Sequence, residues 1–479
     1  MKVYVPKPYQ TTAIALATRK PHLALFLDPG LGKTSITLRT FVNLQRRKRV
    51  KGMLVIAPLR PCYSVWPREV KKWHFSQHLK VRVLHGRDRL WQLQQPADIY
   101  VINPEGLKWL FTVALKNKRD YPFDTLAVDE SGKFRNPASR RLRIIKPKLA
   151  KFKRRYILNG TPAPNGVPDL FSQFLIVDRG ETFGRTITHF RNQYLKRSGY
   201  MGKQWVIASE SSREAVYERA AHMCLVMEAK DHLDMPPILY NDVHVTLPKT
   251  ARTYYEEMEK ELFTLIDNNE IEAATAATAM MTCRQIASGG LYHPTPEGMK
   301  PIPSRRRPWW DLHREKDTAL IDLIDELQHK PLLVAYEFHH DYLRIRESVK
   351  KAFGVDVAHI GAGVSAATGA QIERDWNAGR VRVLVGHPTS IALGLNIQEC
   401  GEDIFWYTLT ENMENYIQLI RRIWRQGFKG QHVRVHHCLT TGTVDEAVLM
   451  RLRNKTDDEA ALKQALKAYR EGKRQNRYK

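Results

Sequence analysis

The chain reads as an α/β protein of two lobes, each a parallel sheet flanked by helices, joined by a helical middle segment. Its 479 residues exceed what one compact core holds. Short apolar runs alternate with helical patterns from about residue 20 to 160, give way to mostly helical patterning up to about 300, and return from about 315. That alternation is the mark of βαβ units and parallel sheets. The expected divisions are an N-terminal lobe over 1–165, a helical insertion and linker over 166–310, a C-terminal lobe over 311–455 and a basic tail over 456–479.

In the first lobe, Leu23-Ala24-Leu25-Phe26-Leu27 suits a buried strand, and Ser35 to Phe41 carries apolar residues at helical spacing. Between them stands Asp28-Pro29-Gly30-Leu31-Gly32-Lys33-Thr34. Glycines at a strand-to-helix turn let backbone N–H groups and the helix N-terminus converge on one anion, so the loop reads as a phosphate cradle. Gly30 and Gly32 shape it, Lys33 is placed to neutralise the outer phosphates, and the Thr34 hydroxyl to ligate Mg²⁺. Leu27 occupies the first glycine position of the longer G-x-x-x-x-G-K-[ST] form.

Further strands are expected at Met53–Ala57, Ile99–Ile102, Thr125–Val128 and Tyr156–Leu158. Asp129-Glu130-Ser131-Gly132 follows the third of these directly. Carboxylates at the C-terminal end of a buried parallel strand point into the ligand crevice. Asp129 would hold the metal there, and Glu130 would take a proton from an attacking water. Gly160-Thr161-Pro162 is a third strand-end loop, with a hydroxyl.

Past a Gly- and Pro-rich linker over 289–308, the second lobe has apolar runs at Leu332–Tyr336, Val381–Val385, Ile404–Tyr407 and Val433–Val435. Its Gln418–Gly427 segment places Arg422 and Arg425 three apart, on one face if helical. Two readings stay open: guanidinium groups brought to a γ-phosphate, or a basic face on solvent or nucleic-acid phosphate. His339-His340 and His436-His437 read as structural, since neighbours on a strand face opposite ways. Trp309-Trp310 reads as linker aromatics packed on a lobe.

Composition narrows the partner. Lys plus Arg is 76 against 50 acidic residues, a formal net charge of +26, with runs at Arg46–Arg49, Arg140–Arg143, Lys151–Arg155 and Arg305–Arg307. So large a surplus favours a polyanion, most commonly nucleic acid. No apolar run approaches the ~20 residues of a bilayer span, and Met1–Pro8 lacks the apolar core of a signal peptide. The five cysteines are scattered, which argues against a zinc site or disulfide framework and for a reducing compartment.

The ordered set of motifs resembles a superfamily 2 DEAD/DEAH-box helicase, closest to the Snf-related (SWI/SNF-like) ATPase branch of compact phage or bacterial type. Lys7-Pro8-Tyr9-Gln10 resembles the adenine-reading segment, with Gln10 as base contact. Ile56-Ala57-Pro58-Leu59 with Trp66 and Glu69, and Val101–Glu105, resemble nucleic-acid-contacting motifs. The Asp129–Gly132 box, followed by Lys133 and Asn136, and Leu158–Asn165 match the next two. In the second lobe Arg284-Gln285-Ile286 and Lys316, then Thr389–Ile397 with Gly394 as a nucleotide contact, continue the match. Gln418, Arg422 and Arg425, and finally Gly442-Thr443-Val444-Asp445-Glu446, complete it.

The resemblance implies two RecA-like P-loop lobes and a monomeric, Mg²⁺-dependent ATPase stimulated by nucleic acid, most of all double-stranded DNA. Lys33, Thr34 and Asp129 would position the phosphates and metal of ATP, Glu130 the water, and Arg422 and Arg425 the transition-state charge. It also implies an intracellular setting, the cytoplasm of a bacterium or phage-infected cell, no membrane, and replication or recombination proteins as candidate partners. Two departures stand out: Ser131-Gly132 replaces the usual Ala/Gly-His, and Leu225–Glu228 stands where paired arginines are common. A strand-separating DNA or RNA helicase and a non-catalytic nucleic-acid-binding adaptor are the alternatives.

Overall fold

The computed structural model describes residues 2–198, 204–267, 273–294, 302–392 and 395–475. The backbone packs as two units, residues 1–234 with 455–479, and residues 235–454. That division differs from the expected one in the middle segment and at the C-terminus. The helical middle is not a body of its own, because 166–234 packs with the first unit and 235–310 with the second. Nor is 456–479 a tail: through Gln475 it continues the helix Val444–Gln475 and packs with the first unit.

The first unit's strands are β1 (His22–Leu27), β2 (Met53–Ile56), β3 (Val81–Val83), β4 (Ile99–Ile102), β5 (Thr125–Asp129), β6 (Arg154–Asn159), β7 (Leu195–Ser198), β8 (Gln204–Ile207) and β9 (Cys224–Met227). Seven form one sheet in the order β3-β4-β2-β5-β6-β1-β9, parallel throughout; β7 and β8 pair as a separate antiparallel hairpin. The unbroken apolar runs of β1, β2 and β4 are explained by burial on both faces, the situation of a central parallel strand. β6 begins with two buried arginines from the basic run Lys151–Arg155. Arg154 donates to the Ala17 carbonyl, and Arg155 to those of Val177, Leu149 and Phe152. Ala17 and Val177 lie in the last turns of the helices Pro8–Arg19 and Leu170–Asp178, whose terminal carbonyls lack helical partners and so attract cations.

The second unit carries β10 (Ile238–Val245), β11 (Gly290–Tyr292), β12 (Trp309–Asp311), β13 (Leu332–Ala335), β14 (Ala358–Ile360), β15 (Val383–Gly386), β16 (Asp403–Trp406) and β17 (Val433–Thr440). Six strands form a parallel sheet, β10-β17-β16-β13-β15-β14. The expected linker contributes the antiparallel hairpin β11–β12, on which Trp310 stacks against His293 at 4.0 Å; residues 295–301 lie outside the described residues. His436 and His437 face opposite ways, one to Asp403 and the other to Asp242 and Tyr416. Among the described residues, no helix is long and apolar enough to cross a membrane.

Candidate active site

The C-terminal edge of the first sheet gathers three loops, because β1, β6 and β5 are consecutive neighbours in register: Phe26 pairs with Asn159, and Leu158 with Asp129. The loop after β1 turns on Gly30 and Gly32, with φ of 91° and 80°, left-handed values that glycine adopts without strain. Gly32 has a second reason to lack a side chain. A Cβ there would stand 2.7 Å from Gln10 Nε2 and 2.8 Å from Ser35 Oγ. Gln10 bridges its own helix to this loop, donating to the Leu31 carbonyl at 3.1 Å and accepting from the Lys7 N–H at 3.1 Å. Lys33 and Thr34 open the helix Lys33–Arg46, whose N-terminus presents the positive dipole end that suits an anion. Lys33 Nζ donates to the Leu27 carbonyl at 2.8 Å.

β5 ends on Asp129, which accepts from the Trp66 indole N–H at 3.0 Å and from the Glu130 N–H at 3.1 Å. Burial holds its carboxyl above the usual carboxylate range, against the opposing pull of the Trp66 hydrogen bond and the Lys33 charge. Trp66, expected in a nucleic-acid-contacting motif, is instead wholly buried and serves this carboxylate. Glu130 sits at φ 50°, a left-handed conformation that costs a non-glycine residue about 1–3 kcal/mol. Such strain persists only where surrounding structure enforces it, and here it turns the chain sharply just after the strand.

Ser131 is joined to the third loop by a residue that no motif had singled out. Gln173, on the helix Leu170–Asp178 and wholly buried, accepts from Ser131 Oγ at 2.6 Å and from Asn159 Nδ2 at 3.0 Å. It donates to the Pro162 carbonyl at 2.6 Å and the Asp169 carbonyl at 2.9 Å. Asn159 in turn accepts from the Thr161 N–H. The box therefore has a direct polar link to the Gly160–Pro162 loop despite lacking its usual histidine. Polarity within an otherwise apolar helix (Leu170-Phe171-Ser172-Gln173-Phe174) was the available signal.

In the second unit, the helix Met413–Ile423 carries Arg422 in its last turn, but Arg425 lies beyond its end. The shared helical face is therefore corrected. Trp424 leaves helical geometry at ψ 84° and donates its indole N–H to the Pro236 carbonyl at 2.7 Å, which turns the chain before Arg425. The two guanidinium groups still meet at one segment: Arg422 donates to the Leu395 carbonyl at 3.2 Å and Arg425 to Asn396 Oδ1 at 2.8 Å. Gly394, expected as a nucleotide contact, lies outside the described residues.

Two other second-unit motif residues are structural. Lys316, wholly buried, donates to Asp445 at 2.7 Å and to the Cys438 carbonyl, and Asp445 also accepts from the Thr440 N–H. Arg284 is buried with its guanidinium on the Leu409 carbonyl.

Comparison with known proteins places these features. The profile of the SNF2-related domain matches residues 13–289, and that of the helicase conserved C-terminal domain matches 315–427. Protein p41 of Acyrthosiphon pisum secondary endosymbiont phage 1 is 31% identical over 98% of this chain and 100% of its own length. YwqA of Bacillus subtilis, whose name describes an ATP-dependent helicase/translocase, is 22% identical over 89% of this chain, which spans 45% of that protein. The solved SWI2/SNF2 ATPase core of Sulfolobus solfataricus in complex with dsDNA is 19% identical, with 98% of each chain covered and a TM-score of 0.44.

Proposed function

This chain belongs to the SNF2-related family of helicase-type, nucleic-acid-dependent ATPases, and we propose that it is a duplex-DNA translocase powered by Mg-ATP hydrolysis. The observation that carries the proposal is the gathering of a glycine cradle with Lys33 and the Asp129–Glu130 pair at one sheet edge, in a chain of net charge +26.

In this reading the N–H groups of the cradle and the Lys33 ammonium take the phosphates of ATP, Lys33 exchanging the Leu27 carbonyl for a phosphate oxygen. The donor set suits a metal: a hydroxyl on the helix's first turn and a carboxylate at the end of β5, two places from β1 in the sheet, are oxygen donors of the kind Mg²⁺ takes. Thr34 and Asp129 would hold Mg²⁺, which supplies charge neutralisation at the phosphates. Glu130 orients the attacking water and accepts its proton. Arg422 and Arg425 supply positive charge to the transition state. The Ser131–Gln173–Asn159 link carries the state of the box to the Gly160–Pro162 loop.

Surplus cations meeting phosphates read no sequence, so the motor moves on duplex of any sequence. A triplex-displacement assay tests this. Glu130-dependent release of a third strand, with the underlying duplex left annealed, is expected. Separation of a forked duplex without third-strand release refutes translocation on duplex in favour of unwinding.

A further inference from the structure

The C-terminal half of the helix Val444–Gln475 lies beyond both family matches, which end at residues 289 and 427. From Lys455 onward it packs within the first unit, with Leu462 and Leu466 in that unit's apolar core. One turn apart on it, Glu459 and Lys463 are each 3% exposed. Each reaches a different loop of the site. Lys463 Nζ donates to Asp28 Oδ1 at 2.8 Å; Asp28 begins the phosphate loop, and its other oxygen accepts from the Ala229 N–H at 3.1 Å. Glu459 Oε2 accepts from the Ala163 N–H at 3.0 Å, at the end of the loop that follows β6.

Further along the same helix, Lys467 pairs with Glu228 and Asp231, and Arg470 with the Cys224 carbonyl. β9 and the residues just after it, where the resemblance leads one to expect paired arginines, are thus met by cations from the C-terminal helix. The helix already docks through Leu462 and Leu466 in the apolar core. A fully desolvated Lys–Asp pair is a poor source of net stability, because the desolvation of both ions offsets their attraction. Its position at the first residue of the phosphate loop calls for another account.

We propose that Lys463 is a positioning residue for ATP. Through Asp28 it holds the phosphate loop in its anion-binding geometry, and it sets an ammonium against a buried carboxylate at the start of that loop. Glu459 fixes the adjacent Ala163 loop from the same helix turn. This inference rests on the ATPase reading above.

The test is steady-state ATP hydrolysis by the full chain, with thermal melting in parallel, for Lys463→Met and for Asp28→Asn/Lys463→Met. Lys463→Met takes the Lys463 ammonium away from the Asp28 carboxylate, and should raise KM for ATP by at least about tenfold with a smaller change in kcat. The double variant removes both charges. It should recover the parental melting temperature yet keep KM raised several-fold, because the loop has lost its anchor. A stable double variant with parental KM reduces the pair to a structural one and overturns the inference. Should Lys463→Met fail to fold, the double variant decides alone. A parent protein that hydrolyses no ATP overturns the ATPase reading and this inference with it.

Discussion

Replacing Gln173 by Met keeps side-chain volume and helix propensity but removes every polar contact the amide makes. Three buried groups lose a partner: Ser131 Oγ, Asn159 Nδ2 and the Pro162 carbonyl. The Asp169 carbonyl keeps a route to a partner through the helix that starts beside it. A buried polar group left unsatisfied costs about 1–3 kcal/mol, so the variant should lose at least about 3 kcal/mol, a large share of a typical domain's 5–15 kcal/mol. Ser131→Ala is the contrast, since Gln173 Oε1 keeps Asn159 as donor; its cost should stay near about 1 kcal/mol. Urea unfolding of the two variants and the parent gives both numbers, and ATPase assays with and without DNA report whether stimulation is lost in step. A Gln173→Met protein within about 1 kcal/mol of the parent would refute the reasoning, because the network would then carry no more than one ordinary hydrogen bond.

Other perturbations follow from the same geometry. Glu130→Gln should bind nucleotide as the parent does while turnover falls by at least about 10²-fold, the scale of a lost general base, read by paired binding and hydrolysis assays. Lys316→Met strands Asp445 in the second unit's interior and should cost about 3–5 kcal/mol in denaturant titrations, most of it regained in Lys316→Met/Asp445→Asn. Burial lowers His313 from 6.5 to about 4 while its Nε2 stays on the Ile286 carbonyl. A depressed basic group contributes stability that is full above its unfolded value and lost as pH falls through the folded one. Melting temperature should therefore drop between pH 6.5 and about 4, and less steeply in His313→Gln.

Much of this fold can be read from local pattern. β1, β2, β4, β5 and β13 are apolar runs bounded by Gly, Pro or charge, and burial on both faces leaves such strands no alternation to blur the signal. The site loops are legible for the same reason, since the glycine loop leading to Lys33 opens where β1 ends, Asp129 closes β5 and Glu130 follows it. What escaped depends on partners distant in sequence. Lys463 lies 435 residues from Asp28, and Glu459 lies 296 from Ala163, so neither contact leaves a local trace. Arg425 was misplaced because a helical repeat reads straight through Trp424, whose turn depends on Pro236, 188 residues away. Nor does composition reveal that, within the basic run Lys151–Arg155, Arg154 and Arg155 turn inward to carbonyls at helix ends.

As a duplex-DNA translocase, the protein should hydrolyse ATP under the control of duplex DNA. Steady-state hydrolysis by the parent chain and by Lys33→Ala, without nucleic acid and with single-stranded DNA, duplex DNA or RNA, tests it most directly. Duplex DNA should stimulate hydrolysis strongly in the parent and not in Lys33→Ala. Stimulation by single strands or RNA in place of duplex, or by none of the three, would contradict it.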